Sequence, residues 1–278
     1  GYLDDAIISI GKLDRSTLVS ITLHDLIPLV NPEQFLSDNP GYSNFYNSKL
    51  KLIGQAKLLL TNSKSTKQEA LDNLKIQNDR VINISTGINH DLFKVENTDN
   101  SQDVLNRLGI KKHYFFTAGS EEIHKNLKQM VKSFALLPPR LRFNLSCVIG
   151  GKFSSGFISE LKHYAVRCGL SEDSLCFPDF VQDDDLISLY QHCKFFIFPS
   201  WHEGFGLPVL EAMACGTPVI CSNKTSLPEV IGLSEATFNP LDVTSMSAKM
   251  IQVLNNEDFR KKLKEHGIKQ TKKFSWDK

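Results

Sequence analysis

No run of apolar residues in this 278-residue sequence reaches the roughly 18 needed to span a membrane. No N-terminal stretch has the charged start and apolar core of a secretory signal. The chain opens at Gly1 and not at Met, so an earlier segment, with any targeting signal it held, is expected to precede it. Neither charge dominates. The 32 Lys and Arg stand against 31 Asp and Glu, a formal net charge of +1, which removes the electrostatic argument for nucleic acid as a partner. The six cysteines (Cys147, Cys168, Cys176, Cys193, Cys215, Cys221) form no Cys-x-x-Cys pair. Several sit in apolar runs and read as reduced core thiols of a cytoplasmic protein, not as a disulfide frame or a zinc site. No cluster has metal-ligand spacing. No strand is followed by Gly-x-Gly-x-x-Gly, which argues against a nicotinamide-dependent dehydrogenase. No short-period repeat or low-complexity tract is present.

What is present is an ordinary globular composition, 41% apolar and 23% charged, at a length that suits two domains with cores of their own. The one basic stretch, Arg260 to Lys273, reads as a solvated helix face, with anionic lipid headgroups or phosphates as the alternative partner. Apolar runs of strand length alternate with helical patterns. Strands are expected at Leu18–Leu23, Leu58–Thr61 and Val81–Ile84, with helices at Tyr42–Lys57 and Ser65–Leu74, the latter capped by Ser63. The polar segment from Gly87 to Gln102 reads as a linker. A second series follows, with strands at Tyr114–Ala118, Leu145–Ile149, Leu175–Phe177, Phe195–Pro199 and Pro218–Cys221. Its helices are expected at Asn126–Leu137, Phe157–Cys168, Asp184–Cys193, Leu207–Cys215, Ser245–Leu254 and Asp258–Lys272. Such alternation implies parallel sheets covered on both faces. Five strands after residue 103 suffice for one doubly wound domain, whereas about three before residue 95 make a thin one. The expected division is 1–95 and 96–278.

The stretch from Phe198 to Glu211 carries the most chemistry. It runs from a strand end through a loop with Gly204 and Gly206 into a helix with Pro208 in its first turn and Gly216 past its end. Ligands of doubly wound sheets bind beyond the carboxyl ends of the strands. Glycines let backbone amides come close to a ligand, and the amides and dipole of a helix start suit a diphosphate. A tight strand-to-helix turn without a ligand has the same form. The two glutamates sharpen the reading. Eight helical residues rise about 12 Å, beyond the roughly 5–9.5 Å that separates paired carboxylates in glycoside hydrolases. Glu203 and Glu211 therefore suit opposite ends of one long ligand, such as a nucleotide sugar, with hydroxyls at both tips and phosphates between.

This stretch resembles the E-x7-E motif of the retaining GT-B glycosyltransferases of family four, and the likeness extends along most of the chain. Thr22-Leu-His-Asp-Leu-Ile-Pro28 resembles that family's His-Asp-hydrophobic-Pro segment. Ser85-Thr-Gly-Ile-Asn89 resembles its linker, and Ala118-Gly-Ser-Glu-Glu-Ile-His-Lys-Asn126 its Lys-Asn turn. Phe180 to Leu186, Ala212 to Val219, Leu227 to Gly232 and Phe274-Ser-Trp276 resemble later segments in the family's order.

The resemblance implies two Rossmann-like, doubly wound domains facing a cleft, the first incomplete here. It implies that Glu211 binds the ribose hydroxyls of the donor and that Glu203 meets the sugar. Amides of Phe205, Gly206 and Leu207 would meet the sugar and distal phosphate, with Gly204 in the same loop. Lys125, flanked by Gly119 and Asn126, would neutralise the diphosphate. The backbone around Phe180 and Val181 would edge the base, and His24 would face the reacting carbon. His24, Lys125 and Glu203 are the residues expected to serve catalysis. Where the family commonly carries an arginine, this sequence has His124, and Gly119 or Ser120, which leaves Lys125 as the main expected cation. No cofactor or metal is expected.

The expected activity is retaining transfer of a sugar to an acceptor hydroxyl, a saccharide or lipid-linked one, in polysaccharide or glycoconjugate synthesis. The likeness to bacterial mannosyltransferases puts GDP-mannose first as donor, with UDP-sugars the alternative. A non-catalytic module that binds nucleotide sugar or a partner is the rival expectation. The expected place is the cytoplasm, with peripheral contact at the inner membrane face.

Overall fold

The computed structural model describes residues 18–95, 101–178 and 181–276. The chain divides into two compact units, Gly1–Thr86 with Glu203–Phe205, and Gly87–His202 with Gly206–Lys278. The border falls at residue 86, earlier than the expected 95, because the intervening residues are bonded into the second unit. Ile88 N donates to the Phe274 carbonyl at 3.1 Å and Gln191 Nε2 to the Lys94 carbonyl at 3.0 Å. Gly87 lies so close to Trp276 that a Cβ there would collide with the indole.

In the first unit, β1 (Ser20–Leu23), β2 (Leu58–Thr61) and β3 (Val81–Asn83) form a parallel sheet in the order β1-β2-β3, with Ser20 opposite Leu58 and Leu59 opposite Val81. The helices are α1 (Ile27–Val30), α2 (Pro32–Phe35), α3 (Pro40–Ile53) and α4 (Lys64–Asn73). The first two were not expected. Each is a single turn with a proline at its start, too short to show a hydrophobic period. Helix α3 both begins and ends before its expected bounds. Asn39 Oδ1 accepts the Tyr42 amide at 3.0 Å, Pro40 occupies the first turn, and Gly54 closes the helix. The Ser63 cap of α4 forms as expected, its hydroxyl accepting the Thr66 amide at 2.9 Å.

Leu23, Leu26, Ile53, Leu59, Ala70 and Val81 are the buried centre of this unit. Along β2, Leu59 and Thr61 are buried while Leu58 and Leu60 are half-buried. Successive strand residues point to opposite faces, so among the described residues one face carries this core.

In the second unit, β4 (His113–Ala118), β5 (Leu145–Gly150), β6 (Leu175–Cys176), β7 (Phe196–Phe198), β8 (Val219–Ser222) and β9 (Thr237–Phe238) form one parallel sheet. Its order is β6-β5-β4-β7-β8-β9. Strand β9 makes six strands where five were expected. It has two residues, too few to show a pattern, and is held by pairing Thr237 with Cys221 of β8.

The helices are α5 (Ser101–Arg107), α6 (Leu127–Ala135), α7 (Pro139–Arg142), α8 (Ser155–Arg167), α9 (Asp183–His192), α10 (Leu207–Ala214), α11 (Leu227–Ile231), α12 (Val243–Asn255) and α13 (Glu257–Thr271). Every residue of β5, β7 and β8 is buried, so here both faces are covered. Phe115 shows how. Its ring stacks on Phe195 at 5.1 Å and meets Phe134 of α6 edge-on at 5.0 Å.

From β4 the chain winds outward through β5 to β6, then returns to lay β7 beside β4 and winds the other way to β9. The strand order therefore reverses between β4 and β7, and the space beyond their carboxyl ends is where ligands of such sheets bind. No helix among the described residues is long and apolar enough to cross a membrane.

Candidate functional site

Two loops leave this switch point, one after β4 and one after β7. The first starts at Gly119, whose amide donates to the Gly150 carbonyl at 2.9 Å. Gly151 has a φ of +146°, and a Cβ there would collide with the Gly119 carbonyl. The Gly150-Gly151 pair thus lets the β4 and β5 ends approach closely. The loop then makes a 3₁₀ turn over Ile123–Lys125 and reaches Asn126, which takes the left-handed conformation (φ 61°, ψ 28°). Asn126 is buried, and Nδ2 donates to the carbonyls of Pro199 at 3.0 Å and Pro240 at 2.8 Å. Both carboxamide hydrogens are committed to the fold, so Asn126 joins the ends of β7 and β9 to the start of α6.

The second loop is tied to the first. Trp201 N donates to the His124 carbonyl at 3.0 Å, and the two rings meet edge-on at 6.2 Å. His124, standing where an arginine was the family expectation, is buried against this tryptophan. Lys125, its neighbour, places Nζ over the Phe198 ring at 5.8 Å. The turn thus brings an ammonium to the end of β7.

Beyond the loop, Gly206 caps α10 with a φ of +106°, a conformation that favours glycine, and a Cβ there would press on Leu227. Leu207 opens the helix and Pro208 follows. The helix ends with bonds from Gly216 N to the Met213 carbonyl and Thr217 N to the Ala212 carbonyl, Gly216 being left-handed at φ 73°. Because α10 begins at Leu207, only four residues of helical rise, about 6 Å, precede Glu211. The eight-residue rise assumed from the sequence does not apply, since Glu203 to Gly206 is loop.

Glu211 is half-buried on α10, and the Tyr190 hydroxyl of α9 donates to its Oε2 at 2.8 Å. Burial, and then the neighbouring Glu211 carboxylate, push the Tyr190 phenol well above its ordinary range, so it stays a donor at any working pH. The sequence carried no signal for this pair. Tyr190 sits in an apolar-periodic helix and reads as core.

Glu203, Gly204 and Phe205 belong to the first unit by their contacts. Glu203 and Phe205 are buried. Within that unit Thr66 Oγ1 donates to the Gly204 carbonyl at 3.1 Å, and a Cβ on Gly204 would collide with the His24 carbonyl. His24 follows β1 with its side chain exposed. The Ile27 amide donates to Asp25 Oδ1 at 3.1 Å, which fixes the turn after His24. Thr66 is a residue the sequence reading missed, absorbed there into the turn after a helix cap. Val181 is half-buried, and Phe180 lies outside the described residues. Among the described residues no group of three or more His, Cys, Asp or Glu is placed to hold a metal ion.

The family model described as "Glycosyl transferases group 1" matches residues 100–270. The serotype-specific mannosyltransferase WbdA of Escherichia coli is 38% identical over 99% of this chain and 34% of its own length. The O-antigen chain mannosyltransferase B of Escherichia coli is 32% identical over 96% of this chain and 68% of its own. The chain spans about one third of the WbdA relatives it matches. Among solved structures, Anabaena Alr3699/HepE in complex with UDP and glucose superposes with a TM-score of 0.80 at 19% identity, over 97% of this chain and 71% of that one. WaaG, a glycosyltransferase involved in lipopolysaccharide biosynthesis, superposes with a TM-score of 0.75 at 17% identity, over 92% and 71%. The expected α/β fold of GT-B type is the one these structures share.

Proposed function

The chain belongs to the glycosyl transferases group 1 family, and from that premise we propose that it transfers mannose from GDP-mannose to a saccharide or lipid-linked acceptor hydroxyl in surface-polysaccharide synthesis. The observation that carries this reading is the switch point of the second sheet. There Lys125 stands over Phe198, Gly206 opens α10, and Glu211 lies one turn further along. A cation and a helix start together suit a diphosphate, and a carboxylate on that helix suits the ribose hydroxyls. The names of two relatives, both mannosyltransferases, support mannose.

The roles follow residue by residue. Lys125 and the amides of Gly206 and Leu207 take up charge on the departing diphosphate. Gly119 lies beside Lys125, and Asn126 holds the turn in place. Glu211 binds the ribose, while the backbone near Phe180 and Val181 edges the base. In the first unit, Glu203, with the amides of Gly204 and Phe205, meets the sugar, and His24 serves the reacting carbon. No side chain here is cast as a covalent nucleophile. The acceptor oxygen attacks the anomeric carbon from the face the diphosphate leaves. The carbon–phosphate oxygen bond breaks, and the acceptor proton passes to the leaving phosphate, so configuration is retained.

The test is a thermal-shift panel of GDP, UDP, GDP-mannose and UDP-glucose, followed by assay of donor turnover. Guanine species are expected to stabilise the chain more than uracil ones, and Lys125→Ala to lose turnover. A stronger response to UDP species overturns the donor. Full turnover in Lys125→Ala overturns the diphosphate assignment. Nucleotide binding with neither transfer nor hydrolysis would favour the second reading, a binding module. The span of one third of WbdA keeps that reading in view.

A further inference from the structure

We infer that Tyr190 is a positioning residue for nucleotide recognition: its phenol holds the Glu211 carboxylate in the one orientation that meets a ribose. The inference rests on the assignment of Glu211 to the ribose.

A glutamate on a helix surface samples several rotamers, and each must be given up when it binds a ligand. Glu211 is held before any ligand arrives, because the Tyr190 hydroxyl donates to Oε2 at 2.8 Å. The donor is itself held on several sides. Tyr190 is fully buried. Its ring lies edge-on to Phe116 at 5.2 Å, to Phe196 at 5.3 Å and to Phe93 at 6.5 Å. Its backbone carbonyl accepts from Thr217 Oγ1 at 2.6 Å and from Cys193 Sγ at 3.2 Å. Thr217 follows α10, so one clamp ties the tyrosine to the element that carries Glu211. The ring is therefore fixed, and with it the position from which the hydroxyl donates to Glu211.

A carboxylate offers about four acceptor sites, and the phenol takes one of them, at Oε2. Rings on β4 and β7, the strands that flank the switch point, thus fix the angle of an acidic group on α10. Here the partner that a buried phenol needs in any role is the carboxylate assigned to the ribose, so satisfying the phenol also orients that carboxylate.

The experiment measures affinity for GDP and 2′-deoxy-GDP, and for UDP and 2′-deoxy-UDP, in the full chain by calorimetry. The proteins are wild type, Tyr190→Phe, Glu211→Ala and the double variant. Phenylalanine keeps the ring contacts. The double variant also removes the carboxylate left without its phenol, so a stability loss in the single variant does not block the comparison. Tyr190→Phe is expected to weaken the ribonucleotide roughly 3- to 10-fold, as for loss of one oriented hydrogen bond, and to leave the deoxynucleotide unchanged. The preference for ribose then narrows. Added to Glu211→Ala, the tyrosine change should have no further effect on that preference, because it acts through the carboxylate.

If Glu211→Ala abolishes the preference while Tyr190→Phe only lowers the melting temperature, the tyrosine is structural and the inference falls, with the ribose assignment intact. If Glu211→Ala keeps the full preference, the ribose assignment falls and takes the inference with it.

Discussion

At Asn126 two demands meet on one side chain. The backbone turns left-handed there, which an asparagine tolerates and a β-carbon otherwise resists, and the carboxamide bridges two buried carbonyls. Asn126→Ala is expected to cost about 2–4 kcal/mol, the sum of strain and two lost bonds. Asn126→Gly keeps the turn without strain and should cost less. Urea denaturation of both variants checks this, and equal losses would show that the left-handed turn contributes nothing. From the sequence, Asn126 was legible as the residue after Lys125 but not as a bridge, because Pro199 and Pro240 are 73 and 114 positions away. Lys125 itself was legible through its motif. Tyr190 was not, since nothing local marks which buried hydroxyl will find a distant carboxylate.

Helices in this chain were read most securely where capping chemistry is local. Ser63 and Gly216 mark ends by bonds to residues three or four positions away, and both were placed. The start of α8 was missed by two residues, although Ser154 caps it through the Phe157 amide at 3.3 Å. Single-turn helices and the two-residue strand β9 had no period to read. Packing between elements was also hidden. Arg107 of α5 donates twice to Asp185 of α9, at 2.9 and 2.7 Å, with the aspartate side chain only 5% exposed against 60% for the arginine. Arg107→Ala strands a buried carboxylate and is expected to lower stability. Asp185→Leu added to it should restore part of the loss, because an apolar group needs no partner. Thermal denaturation of the single and double variants decides it. A double variant less stable than Arg107→Ala would show that the carboxylate was not left in need.

Across the whole chain, all six cysteines fall in the second unit, and four of them are buried. Burial, aided by the Glu211 carboxylate nearby, pushes the Cys215 thiol up to about 12, and burial raises Cys147, Cys193 and Cys221 as well. A raised thiol pKa leaves little thiolate, the reactive form, at neutral pH. Cys147, Cys193, Cys215 and Cys221 are therefore expected to resist a maleimide at pH 8 until denaturant opens the unit, and mass spectrometry of labelled peptides reads the result. Because these thiols lie on β5 and β8, just past the end of α10 and beside β7, their rates report opening of the sheet itself. Fast labelling of all four under native conditions would show that the second unit is loosely closed.

The alternation of apolar runs and helical patterns by itself determined the parallel α/β architecture, since a strand followed by a helix can return to its sheet in few ways. The spacing of glycine, lysine and glutamate in two short motifs determined which residues to look for. Tertiary structure alone decided that β4 and β7 lie side by side, with 77 positions between Ala118 and Phe196. It also decided which buried phenol orients Glu211, and that Glu203 falls in a different unit from the helix it precedes. Each is a pairing across sequence distance, fixed by how surfaces bury one another and not by any local preference of the chain.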